Sequence, residues 1–367
     1  MGTLTIKDDS AKSNGVVSAT DGTISLDTTE DQALTFIDSS GTLNIESGRI
    51  YASADYAVKN NRRFITVNNN GELNMTGGQV VAVCTRTDMN DSGCVFGIYT
   101  SSNSTTPARL NMSGGTVSVT AKSGSACGVQ AWLNTKVNIT GGEVVVDLNG
   151  SQCYGITVDN NDTTKCTQCN ISNVAVKCSN TVPEGKDGSN FARGIQLANN
   201  IEQVSINNVT VDVTAKGCGA FGIFDASKGA NSYTISDDTI KAVSDTSVYA
   251  IQLDNAVVPD RAVTKTIENT NITAVTKNCH ANAVVNGVYI RNKAPITVEL
   301  TNCTLTASSE NYIACGVANS NDATVRLVSG NKADISGDRE LKVAGANVDL
   351  GSSTYSVMET HHIVWSN

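Results

Sequence analysis

Apolar and polar residues alternate through most of the chain, and the alternation restarts at regular intervals. In Leu110-Asn111-Met112-Ser113 the two apolar side chains fall on one face and the two polar ones on the other. A Gly114-Gly115 pair follows, after which Val117 and Val119 alternate with Thr116, Ser118 and Thr120. Period two marks a half-buried strand. Paired glycines permit the positive φ that a sharp corner needs.

The same pattern recurs along the sequence. Leu43-Asn44-Ile45 and Leu73-Asn74-Met75 precede it, and Val137-Asn138-Ile139 and Cys169-Asn170-Ile171 follow. Weaker copies start at Val204, Tyr233, Val298 and Val325. Each leads into a second, valine-rich strand such as Val144 to Val146 or Val209 to Val213. A third strand closes the unit, reading Gly97-Ile98-Tyr99, Gly128-Val129-Gln130, Gly155-Ile156-Thr157 and so on to Gly316-Val317-Ala318. Successive steps between these Gly or Ala positions are 31, 27, 39, 28, 28, 37 and 29 residues, a period at which repeats mean stacked units.

Equivalent strands that keep one inward pattern, with length varying only in the connections, predict coils stacked in parallel. Two-residue hairpin signals are sparse, and no sustained 3.6-residue period supports helical repeats. The predicted fold is all-β, a right-handed parallel β-helix of three-strand coils with about ten rungs at about 4.8 Å spacing and irregular terminal caps. The whole chain, 1–367, reads as one domain: irregular coils over 1–40, regular coils over 41–337, and a last coil or cap over 338–367 that includes Trp365. The two longest steps are assigned to loop insertions at 180–190 and 257–283.

Composition fits this frame. Only 4 of 367 residues are proline and 5% are aromatic, while Val, Ile, Thr, Ser, Asn and Gly dominate, as strands and turns require. A net charge of −9 with no Lys/Arg stripe argues against nucleic acid. No apolar run approaches a membrane span. Met1-Gly2-Thr3-Leu4 lacks the basic and apolar regions of a secretory signal, so an exported form would carry its signal outside the given chain.

The 11 cysteines contain one CxxC, Cys166 and Cys169, without a second pair at zinc spacing. Cys94, Cys127, Cys153, Cys218 and Cys315 lie near equivalent points just before the Gly-Ile/Val step, and are expected to stack as small buried residues; disulfides between coils remain the alternative. The column Asn44, Asn74, Asn111, Asn138, Asn170 is expected to form an amide ladder. Asp237-Asp238 stands where other coils carry Gly-Gly, which predicts a turn role. His280, His361 and His362 assemble no recognisable site.

With its LNMSGG-type first strands, valine second strands and Gly-Ile third strands, the chain resembles the pectate-lyase-like parallel β-helix superfamily over about residues 20–337. The Gly-Gly-Thr/Glu-Val repeats look most like its adhesin-like, polysaccharide-binding members. The superfamily's galacturonase-like enzymes carry Asn-Thr-Asp, Asp-Asp, Gly-His-Gly and Arg-Ile-Lys motifs. That set is missing here, with Asp8-Asp9 and Asp237-Asp238 as isolated pairs. Lyases of the superfamily need clustered carboxylates for calcium and a basic residue. No carboxylate cluster in this sequence supports calcium, so no cofactor, metal site or catalytic residue is assigned.

A binding face is expected on the outward side of strand three. One column carries Tyr99, Gln130, Gln196, Phe224, Gln252 and Tyr289, and the next carries Trp132, Asp159, Asp254 and Arg291. Aromatic faces stack on sugar rings, and amides, carboxylates and guanidinium groups bond their hydroxyls. Trp132 either serves that platform or packs under a neighbouring loop. Asp159 and Asp254 are three coils, about 14 Å, apart, too far to share one cation. Asp254 and Arg291 are expected to form a surface ion pair. The expected function is an extracellular or cell-surface protein that binds polysaccharide or another cell's glycans without chemistry. A polysaccharide lyase or glycoside hydrolase acting on uronic-acid polymers, and a structural rod or tailspike-like module able to oligomerise, are the alternatives.

Overall fold

A computed structural model describes residues 41–54, 62–68, 70–85, 87, 93–161, 168–184, 190–227, 232–254, 262–277, 284–291, 296–309, 313–319, 323–337 and 339–344, with strand segments at 3–6, 16–18, 33–37 and 348–349. Among these residues every strand belongs to one of three parallel sheets, of 12, 11 and 11 strands. Each sheet takes every third strand of the chain in order, the topology of a three-strand parallel β-helix. The strands Thr3–Ile6, Val16–Ser18 and Ala33–Ile37 pair onto the stack as a first coil, within the irregular coils expected over 1–40. No helix long and apolar enough to cross a membrane occurs among the described residues. Trp365, Asp8-Asp9, Cys166 and the three histidines lie outside them.

Alternation explains the core. On the first sheet Leu73, Leu110 and Val137 stack in register, as do Met75, Met112 and Ile139, and all are buried. On the second sheet Val80, Val117, Val144, Val176 and Val211 form one inward column. Each such side chain contributes roughly 1.5–3 kcal/mol by leaving water, and the stack repeats that gain coil after coil. Backbone hydrogen bonds run between coils, so no coil satisfies its own main chain.

Two readings of the sequence need correction. The stretch 257–283 is not one insertion: it holds the strands Thr264–Glu268 and Asn271–Thr276, which pair on both sides as first and second strands of a regular coil. The pattern was hidden because position 265, inward between Tyr233 and Val298, is a lysine. The 180–190 segment likewise begins inside a strand, since Val174–Thr181 pairs through Thr181.

The corner between first and second sheets changes character along the axis. Gly78, Gly115 and Gly142 have φ of 72°, 84° and 98°. Further on, Asn173, Asn208, Asp237, Asn269 and Asn302 take φ of 50–59°, one residue earlier in the corner. Asparagine and aspartate tolerate this left-handed conformation better than other residues with a Cβ. The turn role expected of Asp237-Asp238 is therefore seen, with Asp237 as its left-handed residue.

Candidate functional site

The third sheet breaks its own alternation at one position of its regular strands, a glycine in most and Ala250 in Val248–Leu253. In Cys94–Ser102, Val95 and Ile98 both belong to the main core while Phe96 and Tyr99 belong to a separate apolar cluster outside it. Gly97 lies between them and also faces inward, since a Cβ there would meet Val117 Cγ1 at 2.8 Å and Val119 Cγ2 at 3.0 Å. Two consecutive inward positions, Gly97 and Ile98, reverse the parity of the strand, as a bulge does. The glycine is skipped in the pairing of every neighbouring strand of this sheet.

The reversal turns a flat face into a groove. Outward residues immediately before the glycine and two after it lean together, with ring centroids 5.6 Å apart for Phe96 and Tyr99 and 5.7 Å apart for Phe221 and Phe224. The column before the glycine reads Arg63, Phe96, Cys127, Tyr154, Arg193, Phe221, Tyr249, Asn286, Cys315. Strict alternation assigns this column to the interior, so the sequence pattern missed it. Its signal was present, because Arg193 and Tyr154 fit no apolar core column.

The residues of the expected outward columns lie off the main core, with Tyr99, Thr157, Phe224 and Gln252 buried. Tyr99, Gln130, Thr157, Gln196, Phe224, Gln252 and Tyr289 stack in register, and Trp132 sits beside Asp159. They do not form one cluster. Gln130, Trp132, Asp159 and Gln196 come together with Tyr154 and Thr157 around a cavity of about 280 Å³. Tyr99 borders this region through the Phe96 cluster, on which the half-buried Trp132 and Tyr154 pack. Phe224, Gln252 and Tyr289 lie further along the axis. Arg291 Nη1 stands 4.0 Å from Asp254 Oδ2, and Arg291 is exposed.

Beyond the cavity an aromatic run follows the axis: Tyr154–Phe191 at 5.2 Å, Phe191–Phe221 at 6.4 Å, Phe221–Tyr249 stacked at 5.1 Å and Tyr249–Tyr289 at 5.2 Å. Arg193 is set into it, its guanidinium carbon 3.8 Å from the Phe191 centroid and 3.7 Å from that of Phe224. Arg193 Nη1 donates to Gln196 Oε1 at 2.6 Å, while its buried Nε has no partner. Burial lowers its pKa to about 10, offset in part by Tyr154 and Asp254, so the group stays cationic at neutral pH. Arg63 repeats the motif, 4.0 Å over Tyr99, again with a buried, unpartnered Nε. Arg63 and Arg193 are four coils apart, about 19 Å, and the cavity lies between them.

The remaining polar groups of the cavity are held in place. Asn199 Nδ2 donates to Asp159 Oδ1 at 2.6 Å, and Tyr154 Oη donates to Gln152 Oε1 at 2.8 Å. Burial pushes the Cys127 thiol up to about 12 and the Tyr154 phenol upward, so neither is a nucleophile near neutral pH. The cysteines do not share the single column expected of them. Cys94 pairs with Ser125, Cys127 with Phe96 and Tyr154, and Cys153 with Ala126. Cys153 faces the core, whereas Cys94 and Cys127 face the groove. The nine cysteines among the described residues are buried free thiols.

A second concavity, of about 500 Å³, lies on the first sheet over Arg109, Asn111, Lys136, Asn138, Gln168 and Asn170. Its amides are largely committed to one another. Asn74 donates to Asn44 at 3.0 Å, Asn111 to Asn74 at 2.8 Å and Asn170 to Asn138 at 2.8 Å. No group of three or more His, Cys, Asp or Glu residues suited to a metal occurs among the described residues. Comparison with family models, with curated proteins and with solved structures returns no match in any of the three.

Proposed function

We propose that the chain is a non-catalytic, extracellular or cell-surface protein that binds polysaccharide along the groove of its third sheet. The observation that carries this reading is the convergence of Trp132 and Tyr154 with Gln130, Asp159 and Gln196 on one cavity. Aromatic faces beside fixed amide and carboxylate groups suit a sugar ring, which is apolar on its faces and hydroxylated at its rim. The volume, near the lower end of small-molecule sites, matches one or two sugar units. Arg193, cationic and bonded to the cavity residue Gln196, adds long-range attraction for a glycan bearing carboxylate or sulfate groups. The resemblance to adhesin-like members of the pectate-lyase-like superfamily supports binding without turnover, and a glycan-binding rod suits a cell exterior.

The test is calorimetric titration with neutral and uronic-acid oligosaccharides, combined with an assay for new reducing or unsaturated ends. Binding is expected without product, and Trp132→Ala is expected to weaken it about tenfold, the equivalent of ~1.4 kcal/mol. Accumulating product would replace this reading with an enzyme. Unchanged affinity in the variant would remove this groove from the binding surface.

A further inference from the structure

Among the described residues the interior of the solenoid holds one charged pair. On the third sheet, inward position 225, between Leu197 and Leu253 in register, is an aspartate with 0% exposure. On the first sheet, inward position 265, between Tyr233 and Val298, is a lysine with 1% exposure. The two side chains meet across the core, Lys265 Nζ against Asp225 Oδ2. Tyr233 Oη donates to the same Oδ2, and the Ser227 N–H donates to Oδ1 at 2.8 Å.

An ion pair is a costly occupant of such a site, because both charges leave water; Lys265, the Tyr233 hydroxyl and the Ser227 N–H offset part of that loss at the carboxylate. Burial drives the Lys265 ammonium toward its neutral, nucleophilic amine against the opposing pull of Asp225, while at Asp225 the upward push of burial is outweighed by Lys265, Ser227 and Tyr233, which hold the carboxyl below its usual range. The arrangement around the carboxyl is that of an acyl-transfer centre. One oxygen faces a phenol and the amine, and the other faces a main-chain donor.

We propose that Lys265 and Asp225 condense to an intramolecular amide that ties adjacent coils together. A proton passes from Nζ to the carboxylate within the pair, leaving an amine and a carboxylic acid. The Nζ lone pair attacks Cγ, and the oxyanion that forms on Oδ1 accepts the Ser227 N–H. Nζ gives up a second proton, relayed through the Tyr233 hydroxyl to Oδ2. The Cγ–Oδ2 bond breaks and water departs. One C–N bond is formed, one C–O bond is lost, and no oxidant or outside reactant takes part. The product is a neutral amide in an apolar core, closing a loop between positions 40 apart in the chain. Such a closure restricts the unfolded chain as a disulfide does, without depending on the redox state of the surroundings.

Intact-mass spectrometry of the full-length protein under denaturing, reducing conditions tests this directly. The expected mass is that of the sequence less one water, and peptide mapping is expected to recover Lys265 and Asp225 in one branched peptide. Lys265→Met is expected to show its full sequence mass. A native protein of full sequence mass overturns the proposal. So does a water deficit that maps to other residues, or one that persists in Lys265→Met.

Discussion

On the first sheet, stacked asparagines spend their hydrogen-bonding groups on each other: Asn111 Nδ2 serves both Asn74 Oδ1 and Glu72 Oε1. On the third sheet, stacked residues at the same coil spacing leave groups unspent, among them Arg63 Nε, Thr66 Oγ1 and Arg193 Nε. The difference originates in the backbone. A regular strand presents equivalent side chains to one another along the axis, so amides close into a ladder. A strand bent at glycine crowds two unlike columns into one groove, where rings and guanidinium groups pack by shape and some buried polar atoms go unpaired. A column that satisfies itself stabilises the rod, whereas the bent face leaves a cavity lined by Gln130, Trp132, Tyr154 and Gln196 that is suited to a ligand.

Removing the bend should break this contrast with the largest effect. A Cβ at Gly97 would lie 2.7 Å from Gly128 O and 2.8 Å from Val117 Cγ1, closer than such atoms approach, and part of that obstruction is backbone that cannot rotate away. Gly97→Ala is expected to cost about 2–3 kcal/mol, as overpacking a tight core does, and to lower the denaturation midpoint. Glycan affinity should fall with it as Phe96 and Tyr99 separate. A variant of wild-type stability would show that the glycine is a convenience rather than the cause of the groove.

How much of this was legible in the sequence follows from what a side chain can reveal. Leu110 and Met112 announce their face because their period is fixed by the strand, and the Asn44 to Asn170 column was readable for the same reason. Gly97 has no side chain to declare a face, so the reversal at each glycine was invisible and the Tyr154, Arg193, Phe221, Tyr249 column was given no face. Trp132, Asp159 and Gln196 lie beyond the glycine, and counting onward from the inward Ile98-type position placed them correctly. Lys265 misled in another way: a charge at an inward position made a regular coil look like a loop.

The corner beside the first sheet contains an exception to its self-satisfaction, and that offers a second test. Asp238 Oδ1 accepts the Val209 N–H at 2.7 Å, but its buried Oδ2 has no partner. Burial, with Asp237 adding to it, raises this carboxyl from 3.8 to about 7, although the Val209 bond opposes the shift. The folded protein therefore holds the proton more tightly than the unfolded chain. The contribution of this group to stability is complete below about pH 4, declines as pH rises toward 7, and is gone above that. Three coils on, in the same column, Asn331 accepts the Cys303 N–H at 2.9 Å and also donates to Leu300 O at 2.8 Å. Asp238→Asn should copy that arrangement, abolish this part of the pH dependence and raise stability near pH 8 by about 2 kcal/mol. Denaturant titrations at about pH 4 and pH 8 read both; an unchanged slope with pH would show that Asp238 ionises freely in the fold.

The smallest effect separates the two faces most cleanly. Asn111→Ala removes two side-chain bonds, at 2.8 and 2.9 Å, from a half-buried position. The expected cost is about 1 kcal/mol, because water reaches Asn74 and Glu72 once the amide is gone. Affinity for oligosaccharides should not change, since the ladder and the groove lie on different sheets of a rigid rod. Trp132→Ala should weaken binding about tenfold, and because Trp132 is half-buried on the Phe96 cluster it should also cost about 1–2 kcal/mol of stability. If Asn111→Ala also lowered glycan affinity, the ladder would be part of the recognition surface. The distinction between committed and unspent columns would then fail as a guide to which face of this solenoid binds.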